Sequence, residues 1–101
     1  MNINLSLKTV YFDAINRGVK TTEYRDMTTY YIEKLVDRTK YNGKTDEEII
    51  EELRNGTKLF PLPIDSVTFF NNGRVLKKKV KGIEVQPHHT TFAIKLGKRI
   101  N

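Results

Sequence analysis

The chain opens on strict alternation. Ile3, Leu5 and Leu7 are interleaved with Asn2, Asn4, Ser6 and Lys8, the period of two that marks a strand with one buried face. The period then lengthens. Tyr11, Phe12 and Ile15 make an apolar stripe at helical spacing from Val10 to about Arg17, with Thr9 placed to cap it and Gly18 suited to a left-handed stop. Lys20 to Arg25 returns to a strand pattern, and there polarity is out of place. Thr21, Glu23 and Arg25 share one face, Thr22 and Tyr24 the other. A carboxylate and a guanidinium thus stand where a core strand ordinarily carries apolar side chains. Lys20, at the strand entrance, reaches the same space, and the intervening helix returns the chain toward Lys8.

Asp26 or Thr28 can start a second helix through Tyr31, Ile32, Leu35 and Val36. Tyr30 and Tyr31 cannot both point inward on one turn of it. Lys40 to Lys44 reads as a loop. Thr45 followed by Glu48 has capping-box spacing for a third helix, with Ile49, Ile50 and Leu53 as its buried face and Glu47, Glu51 and Glu52 in water. Asn55-Gly56 ends it, and Phe60-Pro61-Leu62-Pro63 is a rigid extended connector.

The remainder is rich in strand patterns. Ser66 to Asn71 and Arg74 to Val80 flank Asn72-Gly73, a strong hairpin signal. The apolar register shifts by one residue at Gly82, between Leu76 and Val80 on one side and Ile83 and Val85 on the other, as a β-bulge would produce. Gln86-Pro87-His88-His89 is a turn, and Phe92, Ile94 and Leu96 alternate in a closing strand. Together these elements predict an α+β chain, a small β-barrel of about five strands with two to three helices, in one domain over residues 1–101.

Composition narrows the chemistry. The 101 residues include no cysteine, which excludes disulfides, thiolate catalysis and thiolate metal sites. The longest apolar runs are a few residues and no basic-then-apolar leader opens the chain, so a soluble cytoplasmic protein is expected, with no membrane partner. The adjacent histidines of the turn point apart and no carboxylate–histidine cluster completes a ligand set, so neither metal nor cofactor is expected. The net charge of +6 is concentrated late. From Arg74 onward eight basic residues face Glu84 alone, which leaves about −1 for everything before. Lys77, Lys78, Lys79 and Lys81 are the predicted contacts to a nucleic-acid backbone, although a charge run also serves simply as a solvated face.

Leu5-Ser6-Leu7-Lys8, then Tyr11-Phe12-Asp13-Ala14-Ile15, then Gly18-x-Lys20-x-x-Glu23-x-Arg25 resemble the signature of the ASCH domain, a family with a PUA-like β-barrel. Glu23-Tyr24-Arg25-Asp26 leading into Tyr30-Tyr31 and Leu35, with Val80-Lys81-Gly82-Ile83 and Phe92 to Gly97, is similar to its short bacterial and phage-type branch. The resemblance omits residues 37–63, a helical insert and connector. It implies a polar cleft that binds RNA or a nucleotide-derived ligand. Lys8, Lys20 and Arg25 would donate to phosphate or base oxygens, Glu23 would orient Arg25 or accept from a base amine, and Asn71 would bond at the rim. Tyr30 and Tyr31, with Tyr24, Phe69 and Phe70, are the aromatic candidates for stacking.

Two other functions and a purely structural reading compete. Some ASCH proteins are amidohydrolases that deacylate acetylated cytidine with a threonine, a lysine and a glutamate. Lys20 matches the lysine, Glu23 stands at the threonine position with Thr21 and Thr22 beside it, and Glu84 is a counterpart for the carboxylate. Lys20 and Glu23 would then be the catalytic pair, activating water. A protein-interaction adaptor would instead present an exposed apolar patch on the Thr45–Gly56 helix. Glu23 and Arg25 could also be a structural ion pair closing the barrel.

Overall fold

In a computed structural model that describes residues 1–101, the side chain of His89 excepted, the first strand, β1 (Asn2–Ser6), buries Ile3 and Leu5 and exposes Asn2, Asn4 and Ser6. Helix α1 (Thr9–Asn16) follows, with Phe12 and Ile15 buried. Tyr11 remains about half exposed, so the apolar stripe is narrower than its spacing suggests. Thr9 is the first helical residue and not the cap. The Lys8 carbonyl accepts the Tyr11 and Phe12 N–H groups, while the Thr9 hydroxyl faces Asn71. After Gly18 come β2 (Thr22–Asp26), α2 (Thr29–Leu35), a 3₁₀ turn (Arg38–Tyr41), α3 (Asp46–Arg54), β3 (Ser66–Asn71), β4 (Arg74–Gln86) and β5 (Thr91–Arg99). The five strands are hydrogen-bonded in the order β1-β3-β4-β5-β2, and with three α-helices the fold class is α+β.

The chain divides into two units. The first comprises Met1–Glu23, Ile64–Gly82 and Ile94–Asn101, and the second Tyr24–Pro63 and Ile83–Ala93. Strand β4 runs unbroken through Gly82, the last residue of the first unit along that strand.

In the first unit β1 lies parallel to β3, with Ile3 opposite Val67 and Leu5 opposite Phe69. β3 is antiparallel to β4, with Phe69 opposite Leu76. These residues form one buried face, against which α1 sets Phe12 and Ile15. Each such side chain contributes about 1.5–3 kcal/mol by leaving water. The β3–β4 hairpin turns at Asn72 (φ 46°) and Gly73 (φ 82°), two left-handed residues whose twist matches that of the flanking strands. Asn71, just before the turn, is 8% exposed. Its amide donates to the Leu7 carbonyl (2.9 Å) and its oxygen accepts from Arg74 (2.7 Å), tying the hairpin to the end of β1. Arg74 also reaches Asp13 of α1 at 2.9 Å and stacks over the Phe12 ring at 4.4 Å.

In the second unit α2 packs on α3 through Ile32, Leu35, Ile49 and Leu53. Thr28 caps α2 by accepting the Tyr31 N–H. Thr45 and Glu48 form the expected reciprocal capping box, whose hydrogen bonds hold the Glu48 carboxyl below the usual carboxylate range. The stretch read as a loop contains a buried anchor. Tyr41 donates its hydroxyl proton to the Lys58 carbonyl (2.9 Å) and accepts the Phe60 N–H (3.0 Å), and burial pushes its phenol pKa up. The proline-rich connector is extended, as predicted, and pairs on either side of Pro61. Asp37 donates to Phe60 and Leu62 to Leu35. Residues 37–63 lie wholly within this unit. Among the described residues no helix is long and apolar enough to cross a membrane, and no three potential metal ligands cluster.

Candidate functional site

Strand β2 is assembled from its entrance inward. Where α1 ends, the Val19 and Lys20 N–H groups both donate to the Ala14 carbonyl, and the next carbonyl, of Thr21, accepts from Leu96. With the backbone fixed on both sides, Lys20 directs its ammonium to within 3.4 Å of Glu23 Oε1. The same nitrogen lies 5.5 Å from the centre of the Tyr11 ring. Glu23 is only 6% exposed and is the one buried carboxylate among the described residues. Taking that group out of water costs several kcal/mol, and the adjacent ammonium offsets part of it. Tyr11, read from the sequence as core, instead supplies a half-exposed aromatic wall beside the lysine. Its place next to Phe12 was the available signal, since adjacent helical residues stand about 100° apart and, with Phe12 and Ile15 pointing fully inward, Tyr11 falls at the edge of the buried face.

The pleat of β2 follows the predicted faces: Glu23 is buried, Tyr24 is exposed and Arg25 is half-buried. In the second unit Arg25 donates from Nη1 to the Tyr31 hydroxyl at 2.7 Å, its guanidinium 5.7 Å from that ring's centre. The Thr28 cap sets where Tyr31 falls on the first turn of α2. Tyr31 is half-buried, whereas Tyr30 is 58% exposed, edge-on to Tyr31 at 4.9 Å and hydrogen-bonded by Lys34. The two tyrosines therefore divide as helical geometry requires, one inward and one outward.

Other residues singled out in the sequence fall elsewhere. Lys8 stands exposed at the start of α1. Asn71 is no rim donor but an internal tie, its amide committed to Leu7, Arg74 and Thr9. Phe69 is fully buried and unavailable for stacking, while Phe70, on the opposite face of β3, is 41% exposed. The four lysines of β4 do not share a surface. Lys78 lies opposite the buried Val67 on the inward face, and Lys77 and Lys79, opposite Thr68 and Ser66, take the outward one. Thr21 and Glu84 are exposed and Thr22 is half-buried. On α3, Ile49 and Leu53 are buried, so no large apolar patch of the kind an adaptor would present is found on that helix.

Comparison with known proteins finds no matching family model, no matching curated protein and no matching solved structure.

Proposed function

We propose that this chain is an RNA- or nucleotide-binding module of the ASCH, PUA-like type, and that Lys20, Glu23 and Arg25 of the β2 segment make the polar contacts. The observation that carries this reading is the Lys20–Glu23 pair. A buried carboxylate with an ammonium 3.4 Å away is a poor device for stability alone, because an apolar pair of similar volume serves a core at least as well. It is a good device for a ligand that carries both donors and acceptors, as a base edge does. Arg25, already oriented by the Tyr31 hydroxyl, adds a planar fork suited to phosphate or base oxygens. Tyr31 and the exposed Tyr30 supply aromatic surface beside it.

A thermal-shift screen with RNA oligomers and modified nucleosides tests the reading, followed by titration of Arg25→Ala with whatever stabilises the protein. Losing a charge-assisted contact should weaken binding about 10- to 100-fold, with the fold retained. Undiminished affinity in that variant, with an unchanged melt, would remove Arg25 from the site. Incubation with acetylated cytidine discriminates the hydrolase: release of deacylated nucleoside, lost in Lys20→Met, would replace binding with catalysis.

A further inference from the structure

The outward face of the first unit's sheet has a composition unlike a merely solvated surface. On β1 and β3 it carries Asn2, Asn4, Ser66 and Thr68, joined in a ladder. The Asn2 oxygen accepts from Ser66 (2.9 Å) and Thr68 (3.1 Å), and the Asn2 amide donates to Asn4 (3.0 Å). At the hairpin end Phe70 sits directly opposite Val75, and both are more than two-fifths exposed. Along β4 Lys77, Lys79 and Lys81 follow at alternate positions, roughly 7 Å apart by strand geometry. The stems of Lys79 and Lys81 lie against Gly97 of β5, where a Cβ would come within 3.2 Å of each. Any larger residue at 97 would push them off the face.

We infer that this face is a platform for single-stranded nucleic acid, with a base stacked on Phe70 and the backbone tracked by Lys77, Lys79 and Lys81. It goes beyond the proposed function, using residues apart from Lys20, Glu23 and Arg25 and resting on that reading only for the class of ligand. Charge complementarity selects the occupant. Three ammonium groups stand in a row, and none of the β1, β3 or β4 residues on this face is acidic. The nearby Asp65 is met by the N-terminal ammonium at 3.2 Å. Between Asp65, Lys77, Lys79 and Ile100 lies a hollow of about 440 Å³, room for a phosphate beside the first two lysines of the track. Phe70 supplies what phosphate attraction lacks, a π-face that any base can cover. One ring and one valine are too little apolar surface to anchor in a bilayer.

The test is titration of the full chain against a fluorescein-labelled oligouridylate of about ten nucleotides, across a range of salt. Phe70→Leu, which keeps an apolar side chain but no ring, should bind at least about fivefold more weakly, and Phe70→Tyr should bind like the parent. Replacing Lys77, Lys79 and Lys81 together by Gln should reduce the log–log salt slope by about 2, from roughly 0.7 per phosphate contact on a single strand. Melting temperatures of all three variants should stay near the parent's, since Phe70, Lys79 and Lys81 are exposed and Lys77→Gln keeps most of a half-buried stem. Unchanged affinity in Phe70→Leu together with an unchanged slope in the triple variant overturns the inference. Co-sedimentation with phosphatidylserine vesicles in the absence of oligonucleotide binding overturns it too. Arg25→Ala separates the two sites: nucleoside affinity lost there with Phe70→Leu silent defeats this platform and leaves the β2 site standing. The reverse result defeats the β2 site alone.

Discussion

Replacing Lys20 by methionine keeps the length of the side chain and deletes its charge, leaving the Glu23 carboxylate without the ammonium now 3.4 Å away. Coulomb's law sets the scale. At that separation the attraction is about 5 kcal/mol for an effective dielectric near 20 and about 1 kcal/mol in bulk water. The side chains are 21% and 8% exposed, so the pair is neither dry nor fully screened. An intermediate loss of about 2–3 kcal/mol is the expectation, which for a domain of this size lowers the melting temperature by roughly 10–20 °C. The double variant Lys20→Met/Glu23→Leu removes both charges and should recover most of that loss, because apolar substitutes for a buried ion pair are often neutral or stabilising. Thermal melts of the parent, both single variants and the double variant complete a double-mutant cycle, and ligand titration of the same four proteins separates folding from function. If the pair serves recognition, the double variant folds like the parent and fails to bind. A Lys20→Met melt within about 1 °C of the parent would refute the electrostatic argument, and full affinity in the double variant would make the pair structural.

Two further expectations concern the scaffold. Tyr41 has its phenol pKa raised by burial, so the folded state holds that proton more tightly than the unfolded chain. Stability from this group is complete below pH 10 and is lost as pH rises through the higher folded-state value. Tyr41→Phe should blunt that alkaline loss in pH-dependent melts while lowering stability by about 1–2 kcal/mol at neutral pH, through its bonds to Lys58 and Phe60. Asn71→Ala should cost about 2 kcal/mol in denaturant unfolding, by stranding the Leu7 carbonyl and releasing Arg74, and should leave ligand affinity unchanged.

Much of the scaffold could be read directly. The inward positions of β1 and β5, the Thr45–Glu48 box and the Asn72–Gly73 turn are where the pattern placed them. The opposite faces of Glu23 and Tyr24 on β2 follow the alternation too, but which of the two is buried does not. The failures share a feature. The neighbours of Thr9 in sequence invite a cap, yet its hydroxyl faces Asn71 from another strand. The resemblance puts Asn71 at the rim of a cleft as a donor, yet β1 ends beside it and takes its amide. The run of charge groups Lys78 with Lys77 and Lys79, although the same alternation that turns Leu76 inward turns Lys78 inward as well.

What one sequence determines here is local: the period of each segment, the caps, the left-handed turn residues and the sides of each strand relative to one another. These depend on atoms a few bonds apart, and one chain contains all of them. Tertiary structure decides which distant group meets each side chain. It sets β1 parallel to β3, stacks Arg74 over Phe12, closes Tyr41 onto the connector and brings the Lys20 ammonium beside Tyr11 as well as Glu23. Those partners are separated by long stretches of chain or by a turn whose direction no local pattern records. Their energies depend on burial, which exists only once the sheet and helices have come together.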